Sequence, residues 1–269
     1  MNDLVIASTA ADAAAATAVE QHHAQLAGSL ALRVEGLVAA AATSNEPAAR
    51  GALQKLVTWC RTELVPHALA EEKAMYPAAQ ARVEGRLLVD GMLAEHLVIT
   101  GLVDELGLAD DMVRAAAAAR SLQTIFDSHL AKENDLVLPL LVAAPEVSLS
   151  DILDGMHELL GEQGERGEHD DTAGGVAQSG CGGHTCTCGE VDGADYPELD
   201  ARAVPHAIRH ATIFGALDSV RPGEGMVLVA PHDPLPLLAQ IEQRSPGDFD
   251  VDYLERGPDA WRLAFVRTA

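Results

Sequence analysis

His67-Ala-Leu-Ala-Glu71 and His129-Leu-Ala-Lys-Glu133 repeat one spacing, His-x-x-x-Glu, in the middle of two long stretches of helical periodicity. At 3.6 residues per turn, positions i and i+4 share a helix face, so each motif aims an imidazole and a carboxylate at the same place. Two further helical stretches carry a histidine near their centres, His23 in EQHHAQL and His96 in AEHLVITGL. The four segments run from about residue 8 to 41, 47 to 80, 83 to 107 and 110 to 143. Their short connections predict antiparallel neighbours, hence an all-α up-and-down four-helix bundle.

Glu46-Pro47 opens the second segment, because proline is tolerated in a first helical turn. Asp110-Asp111 opens the fourth and puts negative charge at a helix N-terminus. Pro66 lies inside the second segment and predicts a kink just before His67. The segment midpoints fall near residues 25, 64, 95 and 127, close to the histidines at 23, 67, 96 and 129. Mid-helix residues of an antiparallel bundle share a depth, so the spacing predicts one layer where His23, His67, His96, His129, Glu71 and Glu133 meet. Nitrogen and oxygen ligands without thiolate suit iron, manganese or zinc better than copper(I) or an iron–sulfur cluster. Two carboxylates, one from each motif, can bridge two ions with the histidines capping the ends. Ferritin-like di-iron bundles use Glu-x-x-His at i+3, and the reversed order and i+4 spacing here disfavour that family.

Composition agrees with helices packed through small side chains: the 269 residues are 48% hydrophobic but only 3% aromatic. The net charge of −23 divides as −9 over residues 1–147, −9 over 148–193 and −5 over 194–269. An acidic surface repels phosphate backbones and anionic lipid, so neither nucleic acid nor membrane is an expected partner. The first residues have no positive n-region and no apolar run is long enough to span a bilayer, which predicts a cytoplasmic protein.

The runs EQHHAQL, HALAEEKAMYP, AEHLVITGL and HLAKENDLVLPLL together resemble the bacterial hemerythrin-like, HHE-type cation-binding domain over roughly residues 10 to 145. The resemblance implies a non-haem di-iron centre and binding or sensing of dioxygen, peroxide or nitric oxide. It makes His23, His67, His96 and His129 terminal iron ligands and Glu71 and Glu133 the bridging carboxylates. His23 is preferred to His22 because Leu26 and Leu30 follow it at +3 and +7, with His22 the alternative. Oxygen carriers of this kind have two histidines at i and i+4 on the third helix, where this chain has Met92 and Thr100 around His96. They also place the fourth-helix carboxylate at i+5, whereas Glu133 is at i+4. One nitrogen ligand fewer leaves either an open coordination position or a place for Glu72, as ligand or as partner of a ligand. The expected function is a binding or sensor protein rather than an enzyme. The alternatives are a di-iron enzyme that decomposes peroxide, or an iron storage or delivery protein.

A short helix is predicted at about 150 to 161 with Ser150 as N-cap. The Gly-, Asp- and Glu-rich stretch that follows reads as a flexible linker within a 148–193 connecting region. It contains Cys181, His184, Cys186 and Cys188, too tightly spaced for a paired structural zinc site. Readings as an intrinsic metal site, a thiol pair that relays metal or electrons, and plain linker all stand. Residues 194–269 read as β-α-β-α-β-β, a small α+β two-layer domain: strands at YPELDARAV, GMVLVAP, FDVDYLER and AWRLAFVR, helices at HAIRHATIFGALDSV and DPLPLLAQIEQRS. This part resembles a small family of unknown function, itself similar to the TusA/SirA sulfur-carrier fold, and implies a protein partner. Sulfur carriers have a reactive cysteine followed by proline where this chain has His206-Ala207, which argues against persulfide transfer. His206, His210, His232 and Asp233 form a candidate edge site. Against it, His210 shares a stripe with Phe214 and Leu217, Asp233-Pro234 reads as a helix cap, and His157 and His169 read as solvated.

Overall fold

The computed structural model describes residues 9–43, 45–156, 158, 196–204 and 209–268. Cys181, His184, Cys186, Cys188, His157, His169 and His206 lie outside the described residues, as does most of the 148–193 connecting region.

Helix α1 (Ala10–Ala42) starts at Thr9, whose hydroxyl accepts the Asp12 amide. The second rod of the bundle is built of α2 (Glu46–Trp59), a π turn (Cys60–Leu64), α3 (Val65–Ala74) and α4 (Tyr76–Gln80). Helix α5 (Arg86–Leu108) is the third rod. The fourth comprises α6 (Met112–Lys132), a second π turn (Glu133–Val137) and α7 (Leu138–Val142). Asn45 caps α2 through the Ala48 amide, and Asp111 caps α6 through the Arg114 amide at 2.8 Å.

At Pro66 the predicted kink takes the form of a π turn. Proline has no N–H for the carbonyl one turn back, and the helix widens before it, with the Val65 amide bonding to the Cys60 carbonyl. The fourth rod meets Pro139 the same way, with Leu138 bonding to Glu133. Each widening lies beside a His-x-x-x-Glu motif.

Two apolar clusters fill the bundle. One contains Leu26, Leu30, Leu64, Ile99, Phe126 and Leu130, the other Val19, Ala70, Tyr76, Met92, Val137 and Leu138. Along every rod the polar layer falls between them: Val19, His23, Leu26 on α1; Leu64, His67, Ala70 on the second; Met92, His96, Ile99 on α5; Leu130, Glu133, Val137 on the fourth. A short helix α8 spans residues 149–156. Its N-cap is Ser148, which accepts the Asp151 amide, rather than the predicted Ser150. Ser150 already lies in the first turn, and its amide and that of Leu149 bond to the buried Asp12 carboxylate of α1.

The C-terminal domain orders β1 (Glu198–Asp200), α9 (Arg209–Ser219), β2 (Gly225–Ala230), α10 (Leu235–Arg244), β3 (Phe249–Arg256) and β4 (Trp261–Arg267). The sheet runs β1-β2-β4-β3, with β1 and β2 parallel and the other pairs antiparallel. Strand β1 is shorter than predicted because the Asp200 carboxylate accepts the Arg202 amide and turns the chain. Ile213 and Leu217 of α9 and Leu237 and Ile241 of α10 pack with Met226, Leu228, Leu263 and Phe265 of the sheet.

The sequence suggests a tethered domain, but the structure docks it. Ala31 and Leu32 of α1 belong to the C-terminal core, and α1 crosses α9 at two glycines. A Cβ on Gly28 would stand 2.2 Å from the Thr212 carbonyl oxygen, and one on Gly215 would stand 2.4 Å from Gln25 Cα. The backbones touch, which only glycine permits. No helix among the described residues is long and apolar enough to cross a membrane.

Candidate metal centre

The structure brings all six predicted residues together. His23, His67, His96, His129, Glu71 and Glu133 are each at most 3% exposed. Glu71 is the hub: its Oε1 lies 2.9 Å from His67 Nε2 and 3.2 Å from His23 Nε2, and its Oε2 lies 3.7 Å from His96 Nε2. Glu133 lies across the layer, Oε1 3.5 Å from His129 Nε2 and Oε2 3.8 Å from His23 Nε2. The donors form two groups that share Glu71: His23, His67, Glu71 and Glu71, His96, His129, Glu133. His22, on the outer side of α1, is exposed and meets His67 edge-on at 4.9 Å.

The outward nitrogens are held in turn. His96 Nδ1 donates to Glu72 Oε1 at 2.8 Å and His129 Nδ1 to Glu95 Oε2 at 3.0 Å, while Lys132 pairs with Glu95. His23 Nδ1 lies 2.7 Å from Asn134 Oδ1. Such bonds fix the tautomer and aim Nε2 inward, as the outer partners of metal-bound imidazoles do. Glu72 is therefore a partner of His96 from outside the layer, one of the two roles its sequence position allows. Asn134 and Glu133, adjacent at the start of the second π turn, both reach His23.

Tyr76 was not predicted. Its hydroxyl sits inside the layer, donating to Glu133 Oε1 at 2.7 Å and lying 3.2 Å from His129 Nε2 and 3.3 Å from His96 Nε2. Nine residues after His67, an ideal helix would place Tyr76 on the opposite face, yet its hydroxyl reaches the layer from α4, past the turn at Met75. Its being the only tyrosine of the bundle was the sole signal. Met92, one turn from His96, lies with Tyr76 in the apolar cluster, and Thr100 donates to the His96 carbonyl. Neither reaches the inward nitrogens.

Electrostatics show that the layer is short of positive charge. Burial pushes the His23 imidazole down, yet its bond to Glu71 and the charges of Glu133 and Glu71 more than offset this and raise it to about 9. Burial would raise the Glu71 carboxyl, but His67 and His23 hold it well below the usual carboxylate range. Burial, with Glu133 and Glu71 nearby, pushes the Tyr76 phenol far up, so it stays protonated. Two buried carboxylates require cations, and protons on histidine supply them here.

The donor set also fits metal ions. His67 Nε2 lacks hydrogen-bond alignment to Glu71 despite the short distance, and Glu133 Oε2 has no hydrogen-bond partner, although both are buried. His96 Nε2 and His129 Nε2 face each other at 2.9 Å while their Nδ1 protons go to carboxylates. Two imidazole lone pairs so close are favourable only with a proton or another cation between them.

A family model described as "Hemerythrin HHE cation binding domain" matches residues 14–141, the stretch that carries all six residues. Residues 14–141 are a hemerythrin HHE domain. A second model, "Uncharacterized conserved protein (DUF2249)", matches residues 198–267, the docked α+β domain. No curated protein and no solved structure matches the chain. The HHE domain and its buried histidine and glutamate groups make this a metal-binding protein.

The candidate edge site of the C-terminal domain looks different. His210 is exposed rather than a core histidine, because α9 turns Thr212, Ile213, Ala216 and Leu217 inward. Asp233 accepts the Tyr253 hydroxyl at 2.8 Å, and Pro234 takes the cap position of α10. Exposed His232 lies 3.4 Å from the Asp233 carbonyl. Among the described residues, His210, His232 and Asp233 do not form a buried cluster.

Proposed function

We propose that the HHE domain holds two iron ions and that the protein binds or senses dioxygen, peroxide or nitric oxide. The carrying observation is the pair of overlapping donor groups that share Glu71. In this reading His23, His67, His96, His129, Glu71 and Glu133 would hold the ions. Iron would supply reversible redox chemistry toward a small oxidant. The chain's own residues do the rest. Glu72, Glu95 and Asn134 orient the imidazoles, and the apolar clusters on both sides exclude bulk water. Tyr76 holds a proton on Oη beside Glu133.

The Tyr76 hydroxyl favours one alternative, a di-iron enzyme that decomposes peroxide, because a hydrogen-bond donor fixed inside the pocket can orient a bound peroxide. Metal analysis and absorption spectra, on intact protein expressed with iron and on a His129→Ala, Glu133→Ala variant, test the reading. Two irons per chain, with a visible spectrum that changes on reduction and on adding nitric oxide, are expected. Protein without iron, or with only zinc, refutes it. Peroxide turnover that is lost in the variant while its fold is retained selects the enzyme over the sensor.

A further inference from the structure

We propose that the cavity between the two domains is a binding site for a planar organic anion. The cavity, of about 1050 Å³, opens where α1 and α2 meet the chain entering β1 and the turn between α9 and β2. That is the size and the place, between domains, where small-molecule sites form.

The charge of its lining is opposite to that of the chain. Arg33, Lys55 and Arg221 face Glu63 and Glu224, a positive excess in a protein of net charge −23. Lys55 is paired with Glu224 at 3.2 Å. Among the described residues neither Arg33 nor Arg221 makes an ion pair. Arg33 is half-buried and spends one N–H on the Ser29 carbonyl at 2.9 Å. Burial holds its guanidinium below the usual value, while Arg221 repels it and Cys60, Glu63 and Glu224 attract it. Neither guanidinium has a carboxylate of the described residues in ion-pair contact, and an arginine fork suits carboxylate or phosphate.

Planarity is read from the wall beside Arg33. Its guanidinium carbon lies 4.9 Å from the Trp59 ring centroid, and Tyr196 lines the same space. A guanidinium layered on an indole is a flat cationic and aromatic platform, on which a planar anion can stack and pair at once. The helical walls also leave room. Gly36 of α1 and Gly51 of α2 lie inside helices, where glycine weakens the structure. A Cβ on Gly36 would meet only Pro197 Cβ at 3.9 Å, and one on Gly51 nothing within 4 Å. Packing does not demand these glycines, and their lack of a side chain leaves the cleft wall open. This site is separate from the metal layer, and its proposal stands whether or not iron is the metal.

The test is calorimetric titration of the metal-loaded full chain with adenosine monophosphate and 1-naphthoate as planar anions, adenosine as a neutral ring and inorganic phosphate as a bare anion. At least one planar anion is expected to bind with a Kd of about a millimolar or tighter and to weaken with added salt. Arg33→Gln and exposed Arg221→Gln should each weaken it about tenfold or more, and Gly36→Leu should block it, with thermal melting reporting that each variant is folded. Failure of both planar anions to bind up to about 10 mM overturns the proposal. So does wild-type affinity in Arg221→Gln, which keeps the test decisive if Arg33→Gln fails to fold. Phosphate or adenosine binding as tightly as the nucleotide overturns the assignment to a planar anion.

Discussion

Gly28→Ala should destabilise this protein, although the same substitution in an unencumbered helix does the opposite. In a helix interior, alanine is favoured over glycine by about 1 kcal/mol. At Gly28 the new methyl would stand 2.2 Å from the Thr212 carbonyl oxygen and 2.6 Å from the Ala216 nitrogen, both backbone atoms of α9. A real carbon needs more than 3 Å there, so α1 and α9 must part by the order of an ångström or the C-terminal domain must undock. Overpacking of this kind costs about 1 to 3 kcal/mol, and it works against the propensity gain. A net loss of up to about 2 kcal/mol is expected. Gly91→Ala on α5, where a Cβ meets nothing within 4 Å, supplies the control and should gain about 1 kcal/mol. Urea unfolding of both variants, followed by circular dichroism, reads the two signs. Limited proteolysis near residue 196 reports whether the domains have separated. If Gly28→Ala is as stabilising as Gly91→Ala, the domains do not dock through this crossing.

Glu71→Gln should remove metal from both positions because both donor groups contain Glu71, whereas His23→Ala should leave the group of His96, His129 and Glu133 intact; elemental analysis would count near zero and near one ion per chain. Tyr76→Phe removes a 2.7 Å hydrogen bond to a buried carboxylate, and should cost the metal-free chain about 2 kcal/mol in denaturant unfolding with the helical content unchanged. Burial pushes the Cys60 thiol up to about 12 despite Arg33, so about one part in 10⁴ is thiolate at pH 8; native-state alkylation followed by peptide mapping should leave Cys60 unmodified. The Thr9 hydroxyl and the Ser150 and Leu149 amides hold the Asp12 carboxyl below its usual value. Its contribution is therefore present above about pH 4 and lost as the pH falls below that. The stability difference between wild type and Asp12→Asn, from melting curves, should shrink across that acid range; a constant difference contradicts the capping role.

The layer of six residues is legible in the amino-acid sequence because helical period and helix length are local properties. The repeated i+4 spacing aims His67 with Glu71 and His129 with Glu133, and mid-helix position carries His23 and His96 to the same depth. Tyr76 is not legible there, because nine residues of ideal helix after His67 assign it to the opposite face. Asn134 escapes because nothing local ties it to His23, a residue on another rod. The outer carboxylates Glu72 and Glu95 each precede or follow a layer residue in sequence, yet each serves a histidine on a different rod, a pairing that only packing defines.

Taken alone, the amino-acid sequence determined the four rods, the α+β order of the second domain and the six residues of the buried histidine and glutamate layer. Each follows from periodicity, caps and spacing within a few turns of chain. Tertiary structure alone decided that Glu72 and Glu95 serve histidines of neighbouring rods, that a phenol enters the layer, and that α1 touches α9 at Gly28 and Gly215. These are contacts between residues far apart in the chain, and they depend on how closely whole helices approach, a distance set by the side chains of both partners together.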